Sequence, residues 1–324
     1  MSVPSFGRLA LWAALLAVAP ACSLLGDEAP DPSLDGSAAL EQAEAMDLAL
    51  RVRERVARPE RYGEGELFLE IERLMPAWQA EQRRGRAEPV EHRLTQEVVA
   101  HFDIITTALR TGTHERRVVA AWALGFSRVP PNDAGVHSPH PRAVTALVLA
   151  MPDADDEVMQ NVLVALWRLG DPNTPLLPLV EVLALHHDPA ARANAALALS
   201  AVVTRQTLPQ IEPAVRTALG DSDPKVRLHA TNVAVAHPRP EFTRVLMARL
   251  PDEPMPLVRA RMAEALGRSG DRSAARVLLP LLDRGDALER ALAHQALVSL
   301  YGIDRGPSGH DWRDLVTGTS TDRP

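Results

Sequence analysis

Residues 221–236 read DSDPKVRLHATNVAVA, and the pattern in this stretch decides the fold. The pair Asp223-Pro224 favours a helix start, because Asp suits the N-cap and Pro suits the first helical position. Apolar residues follow at helical spacing, with small alanines among them. The stretch therefore predicts an acidic turn that leads into a helix with one buried face. Asp-Pro pairs at Asp171 and Asp188 predict helix starts in the same way.

The same pattern recurs along the C-terminal two-thirds of the chain, at spacings of 31 to 42 residues. Six segments share it: RVVAAWALG from Arg117, MQNVLVALW from Met159, RANAALALS from Arg192, RLHATNVAV from Arg227, RARMAEALG from Arg259 and RALAHQALV from Arg290. Alanine and leucine fill many of their fourth, fifth, seventh and eighth positions. Such a repeat predicts two-helix hairpins that stack, since no hairpin can bury its apolar face alone.

These segments resemble HEAT repeats, in the short version found in bacterial proteins. The resemblance rests on the acidic turn, a Val-Arg pair such as Val226-Arg227, and a Leu-Gly ending such as Leu266-Gly267. It covers residues 89–302 and implies an all-α fold, an α-solenoid of stacked antiparallel helix hairpins. Residues 37–88 are expected to form an N-terminal helical cap. Residues 303–324 lack helical periodicity and are expected to form an irregular C-terminal tail.

The N-terminus resembles a targeting signal. Residues 9–19 form an unbroken apolar run that is too short to cross a bilayer and has the length of a signal-peptide core. The following Ala19-Pro20-Ala21-Cys22 resembles the lipobox of bacterial lipoproteins, in which the cysteine is lipidated. This resemblance implies a signal peptide over 1–21, lipidation at Cys22 and a flexible tether over 22–36.

Two other interpretations of the N-terminus stay open. One is an ordinary cleaved signal peptide, and the other is the N-terminal helix of a cytosolic protein. The lipoprotein interpretation is preferred because Cys22 is the only cysteine and ends the apolar run. Ser23 then favours sorting to the outer membrane, so we expect a lipid-anchored protein that faces the periplasm.

The composition excludes several classes of protein. The formal net charge is −7 and the pI is about 5.9, which argues against nucleic-acid binding because that function needs a basic surface. A single cysteine excludes an intramolecular disulfide. Aromatic residues make up only 4% of the chain, and this favours packed helices over a β-sandwich.

Candidate chemistry is sparse. The sequence has no nucleophile elbow, glycine-rich phosphate loop or His-Glu-x-x-His motif. A HEAT-like type of hydroxylase holds two irons with several His-Glu dyads, whereas this chain has the single dyad His114-Glu115. The pair His137-x-x-His140 lies in a proline-rich loop with few further ligands. We therefore predict no catalytic residue, no metal site and no cofactor.

Arginine begins five of the six repeated segments. A residue that recurs in nearly every repeat indicates a structural role. In that role each arginine pairs with an acidic turn residue of its own or the adjacent repeat, such as Asp223 or Asp252. The alternative is a ladder of arginines that binds acidic ligands.

The third and sixth positions of the repeated helix do not face the core, and their residues are partly polar. They predict a protein-binding groove with these residues: Asn161, Asn194, His229, Asn232, Arg261 and Glu264. The predicted function is a non-enzymatic, membrane-tethered scaffold that binds a protein or peptide in the bacterial cell envelope. The alternatives are a cytosolic regulatory scaffold of HEAT repeats and an accessory or lyase-like enzyme with a dispersed site in the groove.

Overall fold

The structure is a computed structural model that describes residues 63–129 and 137–318. The predicted signal peptide, Cys22, the tether and residues 37–62 of the predicted cap lie outside the described residues. Helices dominate the described part of the chain, which divides into two compact units after Asp171. Among the described helices, none combines the length and the apolar character that a membrane crossing needs.

The first unit contains six α-helices and a short hairpin among its described residues: α1 (Glu64–Arg83), α2 (Glu88–Ala100), α3 (Phe102–Thr111), α4 (His114–Leu124), β1 (Arg128–Val129), β2 (Ser138–Pro139), α5 (Ala143–Ala150) and α6 (Asp156–Leu169). Helices α3 and α4 form one hairpin, and α5 and α6 form the next. The proline-rich insertion between them carries the two strands, which pair antiparallel.

The second unit contains four hairpins and a final helix: α7 (Leu176–Leu185), α8 (Pro189–Val202), α9 (Leu208–Ala218), α10 (Pro224–Ala236), α11 (Pro240–Arg249), α12 (Pro256–Arg268), α13 (Ala275–Arg284), α14 (Ala287–Tyr301) and α15 (Gly309–Thr317). The second helix of each hairpin packs against its counterpart in the next, in the order α8, α10, α12, α14. We call these second helices, with α4 and α6 of the first unit, the inner helices. The first helices of the hairpins are the outer helices.

Small residues allow the inner helices to approach closely. The alanines that the sequence predicts at core positions are all buried: Ala120, Ala123, Ala165, Ala195, Ala198, Ala230, Ala265, Ala293 and Ala296. At Gly267 a Cβ atom would lie only 2.5 Å from the Cα of Ala296 on the next inner helix. The all-α solenoid predicted from the repeat is therefore confirmed, and side-chain size controls its helix spacing.

Two of the three predicted helix starts are confirmed. The carboxylate of Asp188 accepts from the main-chain N–H of Ala190 and Ala191, and Asp223 caps α10 in the same way. The predicted start at Asp171 is wrong, because the next helix begins at Leu176. An Asp-Pro pair is compatible with a turn as well as with a helix start, and local sequence does not separate the two.

The C-terminal tail is more ordered than predicted. Residues 309–317 form α15, which packs on α13. Trp312 is fully buried, and its indole N–H donates to the carbonyl of Gly306 at 2.7 Å. One buried indole supplies enough apolar area to order a helix too short to show clear periodicity.

Candidate functional site

Five of the six predicted groove residues lie in the second unit, on three successive inner helices: Asn194 on α8, His229 and Asn232 on α10, and Arg261 and Glu264 on α12. Helix α10 packs against both α8 and α12. The repeat register therefore places these side chains at equivalent positions on neighbouring helices. We call these five residues the polar inner face.

The polar inner face is more buried than the sequence predicts. Asn194 is only 8% exposed and His229 only 3% exposed, while Asn232 is half-buried. The expectation of an open face is wrong at Asn194 and His229. Alanine at the core positions lets α8 and α10 pack so closely that their third positions are also covered.

Two polar atoms of this face are buried without a hydrogen-bond partner in the described part of the protein. They are the Nδ2 donor of Asn194 and the Oδ1 acceptor of Asn232. Leaving such an atom unpaired costs about 1–3 kcal/mol. Buried polar atoms in native proteins are nearly always paired, so these two side chains stand out within the described repeats.

The imidazole of His229 is neutral at physiological pH. Burial, helped by the positive charges of Lys225 and Arg261, lowers the pKa of His229 to about 4, although Asp223 opposes this effect. Its Nδ1 lies 3.4 Å from Nδ2 of Asn232, which fits an unprotonated ring nitrogen that accepts there. The ring therefore adds no charge to the polar inner face at neutral pH.

A compact charge cluster forms the α12 edge of this face. The carboxylate of Glu264 accepts from the guanidinium groups of Arg261 and Arg268. One negative charge between two positive ones leaves this edge with excess positive charge.

The sixth predicted residue, Asn161, lies on α6 of the first unit and is half-buried. Its Nδ2 donates to the carbonyl of Glu157 at 2.9 Å, one helical turn earlier. This bond to its own helix leaves Asn161 without the unpaired donor that distinguishes Asn194.

The recurrent arginines join successive repeats in the second unit. Three of the four donate to a carboxylate of the following repeat, namely Arg192 to Asp221, Arg227 to Glu253 and Arg259 to Glu289, while Arg290 donates to the carbonyl of Gly285. The Nη1 of each of these three also donates to two carbonyls in the turn before its own helix: His186 and His187, Asp221 and Ser222, Glu253 and Pro254. The predicted pairing with an acidic residue is confirmed for these three arginines, each with its partner in the adjacent repeat, whereas Arg117 and Arg290 donate to main-chain carbonyls.

The particular acids suggested by the sequence are nevertheless wrong. The carboxylate of Asp223 caps α10 instead of pairing with an arginine. Asp252 is exposed, and its neighbour Glu253 holds both Nε and Nη2 of Arg227 at 2.7 Å. Turn geometry decides which of two adjacent acids reaches the guanidinium, and sequence spacing does not encode it.

Comparison with known proteins matches the region of these arginine–carboxylate pairs to a described family. Residues 211–298 match the family model for HEAT repeats. This part of the chain consists of HEAT repeats. The HEAT match includes His229, Asn232, Arg261 and Glu264 of the polar inner face. HEAT repeats are a scaffold fold whose extended surfaces serve protein interactions.

Solved structures with similar repeats are distant. A designed armadillo repeat protein in complex with the peptide (KR)4 has 15% identity and a TM-score of 0.39, covering 72% of this chain and 99% of that chain. Human deoxyhypusine hydroxylase in complex with glycerol has 17% identity and a TM-score of 0.35, covering 82% and 99%. The CpcE–CpcF complex of phycocyanin lyase from a Nostoc species has 17% identity and a TM-score of 0.40, covering 82% and 97%. No curated protein matches the sequence.

The first unit, which precedes the HEAT match, contains a buried cation that the sequence analysis missed. The guanidinium carbon of Arg168 lies 4.5 Å from the ring centre of Trp78, 5.4 Å from that of Trp122 and 4.1 Å from that of Phe126. Both of its Nη atoms are buried without a hydrogen bond among the described residues. Burial lowers the pKa of Arg168 to about 9; nearby Glu91 opposes this effect. Trp78 and Arg168 each lie more than 40 residues in sequence from Trp122 and Phe126, so local sequence does not signal the cluster.

His114 also has a role that sequence did not show. Its Nδ1 lies 2.9 Å from a carboxylate oxygen of Asp155 and its Nε2 lies 3.0 Å from one of Glu157. These hydrogen bonds raise the pKa of His114 above its usual value, with burial opposing them. The imidazolium thus bridges α4 to the start of α6. In the predicted pair His137-x-x-His140, the ring of His140 stacks on that of Phe102, with 3.8 Å between the ring centres.

Proposed function

We propose that the protein is a membrane-tethered, non-enzymatic HEAT-repeat lipoprotein that acts as a protein–protein interaction scaffold in the bacterial cell envelope. The repeat fold supports the scaffold role, and the lipobox-like sequence that ends at Cys22 supports the tether. A lipid tether concentrates the scaffold near membrane partners and so raises apparent affinity without additional contacts. Its partners are proteins or peptides and not nucleic acids, since the chain is acidic.

The observation that carries the interaction site is the unpaired donor and acceptor at Asn194 and Asn232. An amide group of a partner peptide offers one acceptor and one donor, which matches what these two side chains lack. Both atoms are covered, so a partner amide binds them only when the two side chains rotate toward the surface, and this rotation breaks no hydrogen bond at either atom. The polar inner face therefore suits recognition of an exposed peptide segment.

Photo-crosslinking tests this site. A photoreactive amino acid at Glu264, on the polar inner face, is expected to crosslink a discrete envelope protein in living cells. The same group at Arg276, which is exposed on outer helix α13, serves as the matched position. Equal crosslinking from the two positions would contradict the assignment of the inner face.

A variant separates hydrogen bonding from general surface contact. Asn232→Leu keeps the side-chain size but removes the acceptor, and we expect it to weaken partner binding about tenfold. Gln295→Leu changes the equivalent position of α14, which is exposed and has no unpaired buried atom. Binding that is unchanged by Asn232→Leu, or reduced equally by both variants, would contradict the proposal.

Mass spectrometry of protein from the membrane fraction tests the tether. The expected result is a mature chain that begins at an acylated Cys22. An intact N-terminus would instead favour the cytosolic scaffold. A non-acylated start elsewhere would indicate an ordinary cleaved signal.

A further inference from the structure

A cleft of about 370 Å³ lies between outer helices α3 and α5 of the first unit. Its volume falls within the range of sites for small molecules. Ala146, Leu149 and Ala150 give it an apolar wall, and Arg110 and Arg117 add two positive charges. The side chain of Leu149 is 72% exposed, so part of this wall faces solvent.

The second unit has a cleft at the corresponding place in its own repeat, between α7 and α9. It is lined by Arg192, which begins a repeated segment as Arg117 does. It is also lined by Asp221, three residues after Ala218, just as Asp153 lies three residues after Ala150 in the first cleft. The two clefts are therefore repeat equivalents, and their differences are informative.

The clefts differ in what the arginine binds. Both Nε and Nη2 of Arg192 donate to the carboxylate of Asp221 at 2.9 Å. Arg117 instead donates from Nε to the carbonyl of Leu109 at 3.3 Å and from Nη2 to the carbonyl of Asp153 at 2.8 Å. Within the described residues Arg117 has no carboxylate partner, and its Nη1 makes no hydrogen bond.

Two carboxylates, of Asp103 and Asp153, also line the first cleft, but neither forms an ion pair with Arg110 or Arg117. Arg110 is exposed and forms no ion pair with another described residue. The carboxylate of Asp103, on the opposite side, is already paired with Arg142. Three arginines of the second unit thus receive a carboxylate from the chain itself, whereas Arg117 borders an open cleft.

We propose that this cleft binds a small carboxylic acid with an apolar body. Its carboxylate accepts from the Nη1 group of Arg117, which makes no other hydrogen bond among the described residues, and from Arg110. Its apolar body packs against Ala146, Leu149 and Ala150. Charge-assisted bonds to a guanidinium supply the orientation, and the apolar wall supplies the burial. This site is separate from the polar inner face and does not depend on the proposed scaffold function.

Titration of the full-length protein with hexanoate, followed by calorimetry, tests the proposal. We expect saturable binding at one site with a dissociation constant of about 1 mM or tighter. The neutral probe 1-hexanol should bind at least about tenfold more weakly. Equal binding of the two probes, or no saturation by hexanoate at about 10 mM, would overturn the proposal.

Two variants locate the site. Arg117→Gln is expected to weaken hexanoate binding about tenfold or more, and Arg110→Gln about threefold. The side chain of Arg110 forms no hydrogen bond or ion pair among the described residues, so its variant stays informative even if Arg117→Gln folds poorly. Circular dichroism checks the fold of both. Unchanged hexanoate affinity in folded Arg117→Gln, or in Arg110→Gln, would show that the acid binds elsewhere.

A gain of binding provides the converse test. Asp221→Ala removes the internal carboxylate from Arg192 in the second cleft, whose volume is about 470 Å³. If each such arginine donates to a carboxylate in its cleft, this variant should bind hexanoate at two sites instead of one. A stoichiometry that stays at one in the folded variant would overturn the equivalence on which the proposal rests.

Discussion

In the second unit, charged side chains join each repeat to the next, whereas in the first unit an aromatic cluster surrounds a single cation. The guanidinium of Arg227 is almost completely buried against Glu253 and has every donor group directed at an oxygen. The guanidinium of Arg168 is also buried, but its Nη atoms meet only the faces of aromatic rings. The same residue type is stabilised in two different ways.

The difference explains which part of the chain is recognisable as a repeat. A ladder of ion pairs requires the same residue at the same position in each unit, and the HEAT match at residues 211–298 lies entirely within the second unit. An aromatic cluster needs only nearby rings, which different positions of a helix can supply. Aromatic packing therefore keeps the helix hairpins of the first unit without requiring the same residue at the same position of each repeat.

The largest effect is expected from breaking the ladder. Glu253→Gln should lower the free energy of unfolding by about 3–5 kcal/mol, because Arg227 would keep a buried charge without a partner. Urea denaturation measures the change. Asp252→Asn alters the exposed neighbouring acid and should change stability by less than about 0.5 kcal/mol. Similar losses in both variants would mean that the buried pair is not what joins these repeats.

A smaller effect should come from acidification, through His229 in the second unit. Its folded pKa of about 4 lies below that of an exposed histidine, so the unfolded chain binds a proton first as the pH falls below about 6.5. Between pH 7.5 and 5 this should cost about 2 kcal/mol of stability.

The variant His229→Gln isolates that contribution. It should flatten the pH dependence of urea midpoints between pH 7.5 and 5, whatever its stability at neutral pH. A wild-type slope that persists in His229→Gln would assign the pH dependence to other groups.

The aromatic cluster should tolerate loss of its cation. Arg168→Met replaces the guanidinium with an apolar chain, and the lost cation–π contacts are offset by relief from burying an unpaired charge. We expect the free energy of unfolding to change by less than about 1 kcal/mol. A loss as large as that from Glu253→Gln would erase the proposed distinction between the two units.

The smallest effect concerns His114, and its sign is opposite to that of His229. Its folded pKa is raised, so its contribution is fully present below about pH 6.5 and is lost as the pH rises through the folded value. Because the ring is half-exposed, solvent screening should keep the contribution below about 1 kcal/mol.

His114→Gln is therefore expected to remove a gain in stability between pH 8 and 6 without affecting the loss at lower pH. Thermal unfolding at closely spaced pH values measures both. A variant with the wild-type profile over pH 8 to 6 would show that the bridge to Asp155 and Glu157 does not contribute.

The sequence predicted the helical hairpins and the buried alanines because both follow from local periodicity. It also identified the positions of the polar inner face, since these are the third and sixth positions of the repeated helix, which the apolar core pattern does not use. It predicted neither the burial of Asn194 and His229 nor helix α15. Those features depend on how closely neighbouring helices pack and on the burial of Trp312, which α15 itself carries.

By itself the sequence determined the repeat, its register and the structural use of most recurrent arginines, because each recurs in nearly every unit. Only the tertiary structure decided which acid meets each arginine. It also decided that Arg168 meets aromatic rings, and that Arg117 borders a cleft where Arg192 meets Asp221. Such contacts join residues that are distant along the chain. Their geometry depends on turns and packing distances, which no local pattern encodes.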